Sequence, residues 1–286
     1  MLDRIGFSSG EIDGRTGVNF RRAVEAFQRE HGLPITGMAD AQTWTRLTDR
    51  GGSQPPLVSY EITEADVAGP FTPDIPSDLM EQSKLSYLGY RTPLEALAER
   101  FHVSPALLQQ LNAGATFSHA GERVMVTNVV SFDPLAPPPA ATAADAARAK
   151  PAVTIVVTKA TSALTVQDEG GHVIFHAPVT TGSQHDPLPI GTWKVTGVQR
   201  NPGFQYNPAL FWDANPSHAK ARIAPGPNNP VGVIWIDLNK EHYGIHGTPE
   251  PSRIGHVQSH GCVRLTNWDV LRVAQWARPG TVVRFQ

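Results

Sequence analysis

The segment Tyr243 to Leu265, YGIHGTPEPSRIGHVQSHGCVRL, holds the one cysteine of a 286-residue chain. With a single Cys no intramolecular disulfide can form, so Cys262 is either a buried small hydrophobe or a reactive thiol. A sulfur attacks as thiolate, and its free pKa near ~8.5 calls for a neighbouring base or cation at neutral pH. His246 and His260 are the candidates. His260 lies two residues from the sulfur along the chain, where the backbone often turns the side chain aside. His246 can sit on an adjoining strand and face it. Gly261 lets the chain turn so that the N–H groups of His260, Gly261 and Cys262 point at one oxyanion, an arrangement suited to acyl transfer. Arg264 offers either a fork for a substrate carboxylate or an ion pair that braces the loop.

The same stretch admits a metal reading. His242, His246, His256, His260 and Cys262 contain enough nitrogen and sulfur for a tetrahedral zinc site, yet their spacings match no zinc pattern. No metal or other cofactor is expected. His185 and His218 fall in loop-like sequence and read as solvated, with lining of the substrate cleft as the alternative, and Trp193, Trp212 and Trp235 as core or cleft wall.

Outward from this segment, residues 152–286 read as short strands: Val153 to Thr158, Ala163 to Gln167, His172 to Thr180, Thr192 to Val198, Val231 to Leu238 and Thr281 to Phe285. Gly170-Gly171 supplies a hairpin turn, and a single helix starts at Thr266. The unit is mostly β. Upstream, the Pro/Ala run within residues 131–151 cannot build a core and is expected to act as a spacer that leaves the preceding units independent. Residues 83–130 hold two helix starts, Thr92-Pro93 with Glu95 and Ser104-Pro105, followed by a strand at Arg123 to Val126. Residues 51–82, rich in Pro and Gly, are read as an extended linker without elements. Residues 1–50 show two short helices, one capped by Asn19 with Phe20, Ala23, Val24 and Phe27 inward, the other capped by Asp40.

Lys+Arg 24 against Asp+Glu 26 gives a charge of -2, so there is no global field for nucleic acid. No apolar run approaches the ~18 residues of a membrane helix. The first residues lack the basic and apolar regions of a secretory signal, which leaves a cytoplasmic chain or one whose leader has been removed.

His246-Gly-Thr248, the twelve residues Gly247 to Gln258, and Ser259-His-Gly-Cys-Val-Arg264 together resemble the signature of YkuD-type L,D-transpeptidases. Pro189-Ile-Gly191-Thr-Trp193, Gly226-Pro-Asn-Asn-Pro230-Val-Gly232 and Ile254-Gly255 extend the likeness over about residues 152–286. It implies a β-sandwich-like domain in which Cys262 is the acyl-forming nucleophile and His246 its base. The Gly247 carbonyl would orient the imidazole, and His260, Gly261 and Cys262 would supply oxyanion N–H groups. Arg264, Ser259 and Thr248 would lie along the substrate. One variant of the family carries Asn at the place of Arg264, and this chain follows the arginine variant. The implied substrate is a peptidoglycan tetrapeptide stem, the product a 3-3 cross-link, and a carbapenem a covalent inhibitor. An L,D-carboxypeptidase using water, or an idle wall-binding protein, are the alternatives.

The stretch Ile12-Asp-Gly-Arg-Thr-Gly, Ala23-Val-Glu-Ala-Phe-Gln, Gly32-Leu and Thr36-Gly through Trp44 resembles a small helical peptidoglycan-binding domain without its first helix. Residues 83–130, with Asn112 after the second helix, look like a degenerate LysM glycan-binding α+β module whose first strand would fall around Leu85 to Tyr90. The organisation expected is therefore 1–50 helical and wall-binding, 51–82 linker, 83–130 LysM-like, 131–151 spacer and 152–286 catalytic. The expected location is the periplasm or cell wall, after export.

Overall fold

The computed structural model describes residues 1–131 and 152–286; the Pro/Ala spacer, apart from its first residue, lies outside the described residues. The N-terminal unit begins with a single 3-10 turn, Asp3–Ile5, followed by helices α1 (Val18–Glu30) and α2 (Ala41–Gly51). Asp40 caps α2 by accepting from the Thr43 amide at 2.9 Å. Helix α1 instead starts after Gly17. Asn19 lies inside its first turn, and its side-chain Nδ2 donates to Ile254 O at 2.8 Å, a contact to the C-terminal unit that local pattern could not reveal. Phe7, Phe27 and Leu47 form the small core.

The middle unit starts earlier than its sequence suggests. It comprises β1 (Leu57–Glu61), α3 (Glu64–Ala68), α4 (Leu79–Gln82), α5 (Pro93–Arg100), α6 (Pro105–Leu111) and β2 (Arg123–Thr127). The segment 51–82 is thus not an element-free linker, and the strand expected around Leu85 to Tyr90 is absent. Strand β1 pairs antiparallel with β2, Ser59 opposite Met125. Its five residues sit between Pro56 and Pro70, and what makes them a strand is the distant partner, since β preference is set largely by context. Thr63 and Asp66 form a capping box on α3, and Asp66 also pairs with Arg100 of α5. Ile62, Leu97, Leu108, Val124 and Val126 fill the space between.

The C-terminal unit contains β3 (Thr154–Thr158), β4 (Ala163–Gln167), β5 (Val173–Pro178), β6 (Gly191–Arg200), β7 (Phe204–Tyr206), β8 (Ala221–Ile223), β9 (Ile234–Leu238), β10 (Gly244–His246), β11 (Val263–Arg264), α7 (Asn267–Ala274) and β12 (Val282–Phe285). Eight of its strands form one sheet in the order β11-β10-β9-β6-β12-β3-β4-β5. The pairs β12/β3 and β10/β11 are parallel and the others antiparallel. Strand β6 serves both halves, with a register shift at Val195/Gly197 where it passes from β12 to β9. One apolar core collects Ile155, Leu164 and Phe175 from one half, Ile236, Ile245 and Val263 from the other, and Val270 and Val273 of α7. Thr266 caps α7 through the Asp269 amide at 2.9 Å. Strands β7 and β8 form a separate hairpin joined by residues 207–220.

The expectation of independent units is overturned by their contacts. Residues 6–8 lie along the free edge of β5: the His176 amide donates to Gly6 O at 2.7 Å and the Ser8 amide to His176 O at 2.8 Å. They cover backbone groups that an exposed sheet edge leaves unpaired. The N-terminal and middle units join where the Ile12 amide donates to His102 O and the Ser104 amide to Ile12 O, both at 2.9 Å. The His102 ring stacks on Trp268 at 4.1 Å, with Asp3 2.8 Å from one ring nitrogen and Asp269 3.8 Å from the other. Burial acts to lower the His102 pKa, but the Asp269 and Asp3 carboxylates outweigh it and raise it. Among the described residues no helix is long and apolar enough to cross a membrane.

Candidate active site

Side chains alternate across a strand, which decides what the end of the sheet presents. In register, Ile245 of β10 lies opposite Ile236 of β9 and Val263 of β11, and all three are buried in the core. Their neighbours Trp235, His246 and Arg264, also in register, therefore share the other face. Cys262, two residues before Arg264, joins them. All four line a cavity of about 940 Å3, along with Tyr243, His260 and the hairpin residues Phe204, Tyr206, Phe211 and Asp213. Ser77, Asp78 and Leu79 of the middle unit complete one wall.

His246 is 3% exposed, and its ring stacks on Trp235 at 5.3 Å. Its Nδ1 lies 2.7 Å from Gly247 O. A carbonyl only accepts, so Nδ1 carries the proton and Nε2 keeps its lone pair. Burial, reinforced by the Arg264 charge, lowers the His246 pKa to about 3, with the Gly247 carbonyl opposing. Burial also raises the Cys262 thiol, against smaller opposing effects from Gly244 and Arg264. The thiol donates to His242 O at 3.6 Å. The resting pair is thus thiol and neutral imidazole. The loop that carries the sulfur depends on Gly261, at φ 103°, where a Cβ would sit 2.8 Å from the Tyr243 ring.

His260 turns away from the sulfur towards the hairpin: its Nε2 lies 2.7 Å from Asp213 Oδ1, and its ring meets Phe211 at 5.1 Å. Arg264 Nε is buried without a hydrogen-bond partner among the described residues, which leaves it available to a ligand. Ser259 and Thr248, expected along the substrate, are placed inside the loops instead. The Ser259 hydroxyl donates to Cys262 O at 2.7 Å, and Thr248 Oγ1 accepts from the Glu250 amide at 3.2 Å. His218 takes the alternative reading, lying on the cavity wall between Tyr206 OH and Asp78 Oδ2, 3.0 Å from each. His185 is exposed and stacks on Trp212 at 4.3 Å. Among the described residues no three His, Cys, Asp or Glu side chains converge as a metal ion would need. His242 faces Glu241 and His260 faces Asp213. Sequence reasoning missed Asp213, Asp78 and Asn267, whose partners are far away along the chain.

Residues 152–284 match the family of the L,D-transpeptidase catalytic domain, and residues 1–47 match the "Putative peptidoglycan binding domain". The chain is 51% identical over 59 residues to "Putative L,D-transpeptidase YkuD" of Bacillus licheniformis, covering 21% of this chain and 36% of that protein. To the protein of the same name in Bacillus subtilis it is 33% identical over 106 residues, covering 37% of this chain and 49% of the relative. The chain thus spans half or less of the length of these relatives. A solved L,D-transpeptidase from Mycobacterium smegmatis superposes with a TM-score of 0.39 at 18% identity, covering 48% of this chain and 59% of the other.

Proposed function

We propose that the C-terminal unit is a cysteine-dependent L,D-transpeptidase acting on peptidoglycan tetrapeptide stems. The observation that carries this reading is the shared face of the sheet, where a thiol, a neutral imidazole with its Nε2 lone pair free, and a guanidinium open into one cavity. Cys262 Sγ attacks the carbonyl carbon between the L-centre of the third stem residue and the terminal D-alanine, and the thiol proton passes to His246 Nε2. The N–H groups of His260, Gly261 and Cys262 meet the oxyanion. Collapse breaks the amide bond, and D-alanine leaves with the proton from the imidazolium. The amine of a neighbouring stem then attacks the thioester, its proton returning through His246 to the sulfur. The new amide is a 3-3 cross-link. Arg264, whose charge is aimed into the cavity, binds a substrate carboxylate. Ser259 and Thr248 hold the loops that present these groups.

The match of residues 1–47 to a peptidoglycan-binding family supports a site of action in the cell wall or periplasm. In the middle unit, the antiparallel strands β1 and β2 enclose α5 and α6 together with the short helices α3 and α4, and this pairing supports the LysM-like reading, with glycan as its ligand. Incubating the chain with purified muropeptides, followed by mass analysis of protein and products, tests the function. A thioester adduct on Cys262 and a cross-linked dimer are expected, and Cys262→Ala should lower turnover by at least roughly a thousandfold. A carbapenem should acylate the same sulfur, its lactam ring opening with a mass gain absent from Cys262→Ala. Release of D-alanine without dimer would assign the carboxypeptidase reaction, and wild-type turnover by Cys262→Ala would refute the nucleophile.

A further inference from the structure

We propose that Glu99 of α5, in the middle unit, is a positioning residue for His246, acting through Asn267. The proposal rests on the reading of His246 as the base. Asn267 opens α7 and is fully enclosed, and its amide stands at a junction of three segments. Nδ2 donates to Glu99 Oε1 at 3.1 Å, to Glu99 Oε2 at 3.2 Å and to Pro227 O at 3.1 Å. On the other side, Oδ1 accepts from the Val233 amide at 3.1 Å. When Glu99 is ionised, its carboxylate and the Pro227 carbonyl on one side accept only, and an N–H on the other donates only, so a flipped amide would face repulsion on both sides. Glu99 supplies two of the three acceptor contacts that fix this orientation, and its own carboxylate is held by the Tyr90 hydroxyl at 2.8 Å.

The fixed oxygen is packed against the glycine beside the base. A Cβ at Gly247 would lie 2.1 Å from Asn267 Oδ1, and one at Gly232 would lie 2.0 Å from it. Gly247 also donates to Ile234 O at 3.2 Å, so the residue is pinned between α7 and the start of β9. Its carbonyl accepts the hydrogen bond that His246 Nδ1–H donates, and the direction of that bond sets where Nε2 points. A tilt of the Gly247 peptide would swing the imidazole, and reaction rates are steep in such placement. The middle unit thereby contributes to catalysis without touching the substrate through this residue.

Alkylation of Cys262 by iodoacetamide, followed by intact mass on the full-length chain, reads the pair without any muropeptide. Glu99→Met keeps length and apolar bulk but removes the acceptors, whereas Glu99→Gln keeps an acceptor oxygen. We expect His246→Ala and Glu99→Met both to slow alkylation near neutral pH, and Glu99→Gln to recover most of the rate. On muropeptides Glu99→Met should lower kcat roughly ten- to a hundredfold with KM within about twofold. Circular dichroism checks the fold; should Glu99→Met not fold, Glu99→Asp, whose carboxylate stops a methylene short, carries the same expectation. Alkylation of His246→Ala at the wild-type rate would overturn the base reading and this inference with it. Slow His246→Ala beside wild-type behaviour of Glu99→Met or Glu99→Asp would overturn the inference alone. So would Glu99→Gln as slow as Glu99→Met.

Discussion

At His246, burial and the Arg264 charge keep the imidazole neutral down to about pH 3, while burial holds the Cys262 thiol above its ordinary range. Both shifts disfavour a preformed thiolate, and in the mechanism proposed above the proton moves to Nε2 as the bond to substrate forms. Alkylation of the free enzyme should then keep rising with pH past about 8.5, the ordinary thiol value. A rate that levels off near neutrality would instead show a thiolate–imidazolium pair. The same depressed imidazole has a cost in acid. An unfolded His binds a proton below about 6.5 and the folded one does not, so this contribution to stability is present above that pH and lost as pH falls towards 3. That Cys262 and His246 belong to one candidate site was legible in the sequence, because a lone Cys beside Gly261 with His246 at a fixed spacing is a local pattern, and both line the same cavity. The protonation of the pair was not, since a neighbouring base suggested a lowered thiol, and the burial that reverses this comes from strands and a hairpin distant in sequence. Asp213 escaped for the same reason, lying 47 residues from His260.

Elements whose ends are fixed by neighbours within three residues were readable: α2 behind Asp40, α5 behind Thr92-Pro93, α6 behind Ser104-Pro105 and α7 behind Thr266. Strands β10 and β11, of 3 and 2 residues, carry the site yet are too short to show a period, and pairing alone defines them. The edge of β5 makes a testable case. Gly6 sits at φ 91°, with a hypothetical Cβ 2.6 Å from Ile174 O, and its own carbonyl accepts from the His176 amide. Gly6→Ala should therefore destabilise by at least ~1–2 kcal/mol from the left-handed backbone alone. The contact with Ile174 adds to this, because moving it would open the bond to His176. Thermal unfolding measures the loss, and faster hydrogen exchange at His176 and Ser8 should accompany it. An unchanged melting temperature would mean that the N-terminal residues do not hold this edge.

Across the whole molecule, the three units meet at one polar junction. Glu11 and Asp3 come from the first, Glu99 and His102 from the second, and Asn267 and Asp269 from the third. A freely tethered catalytic unit would keep its full rate when residues 1–151 are removed. The contacts predict otherwise: the fragment 152–286 loses the cover of β5, the His102 partner of Asp269 and the Glu99 partner of Asn267. Turnover on soluble muropeptides should fall by roughly tenfold or more. The stability that the junction adds should also depend on pH with a definite sign. His102 is raised above 6.5, Asp269 is raised above 3.8, and burial lifts Glu99 to about 7 and Glu11 to about 6. In each case the folded state binds more protons than the unfolded state over some interval, so each contribution is fullest below its unfolded value and is lost as pH rises through its folded one. His176, pushed down to about 4 by burial, works in the opposite sense on the acid side. The melting temperature of the full chain should therefore exceed that of the fragment by more at about pH 6.5 than at about pH 9, where Glu99 and Glu11, lifted by burial to about 7 and about 6, have ionised. A difference that stays constant, or grows with pH, would show that these titrating groups do not hold the units together.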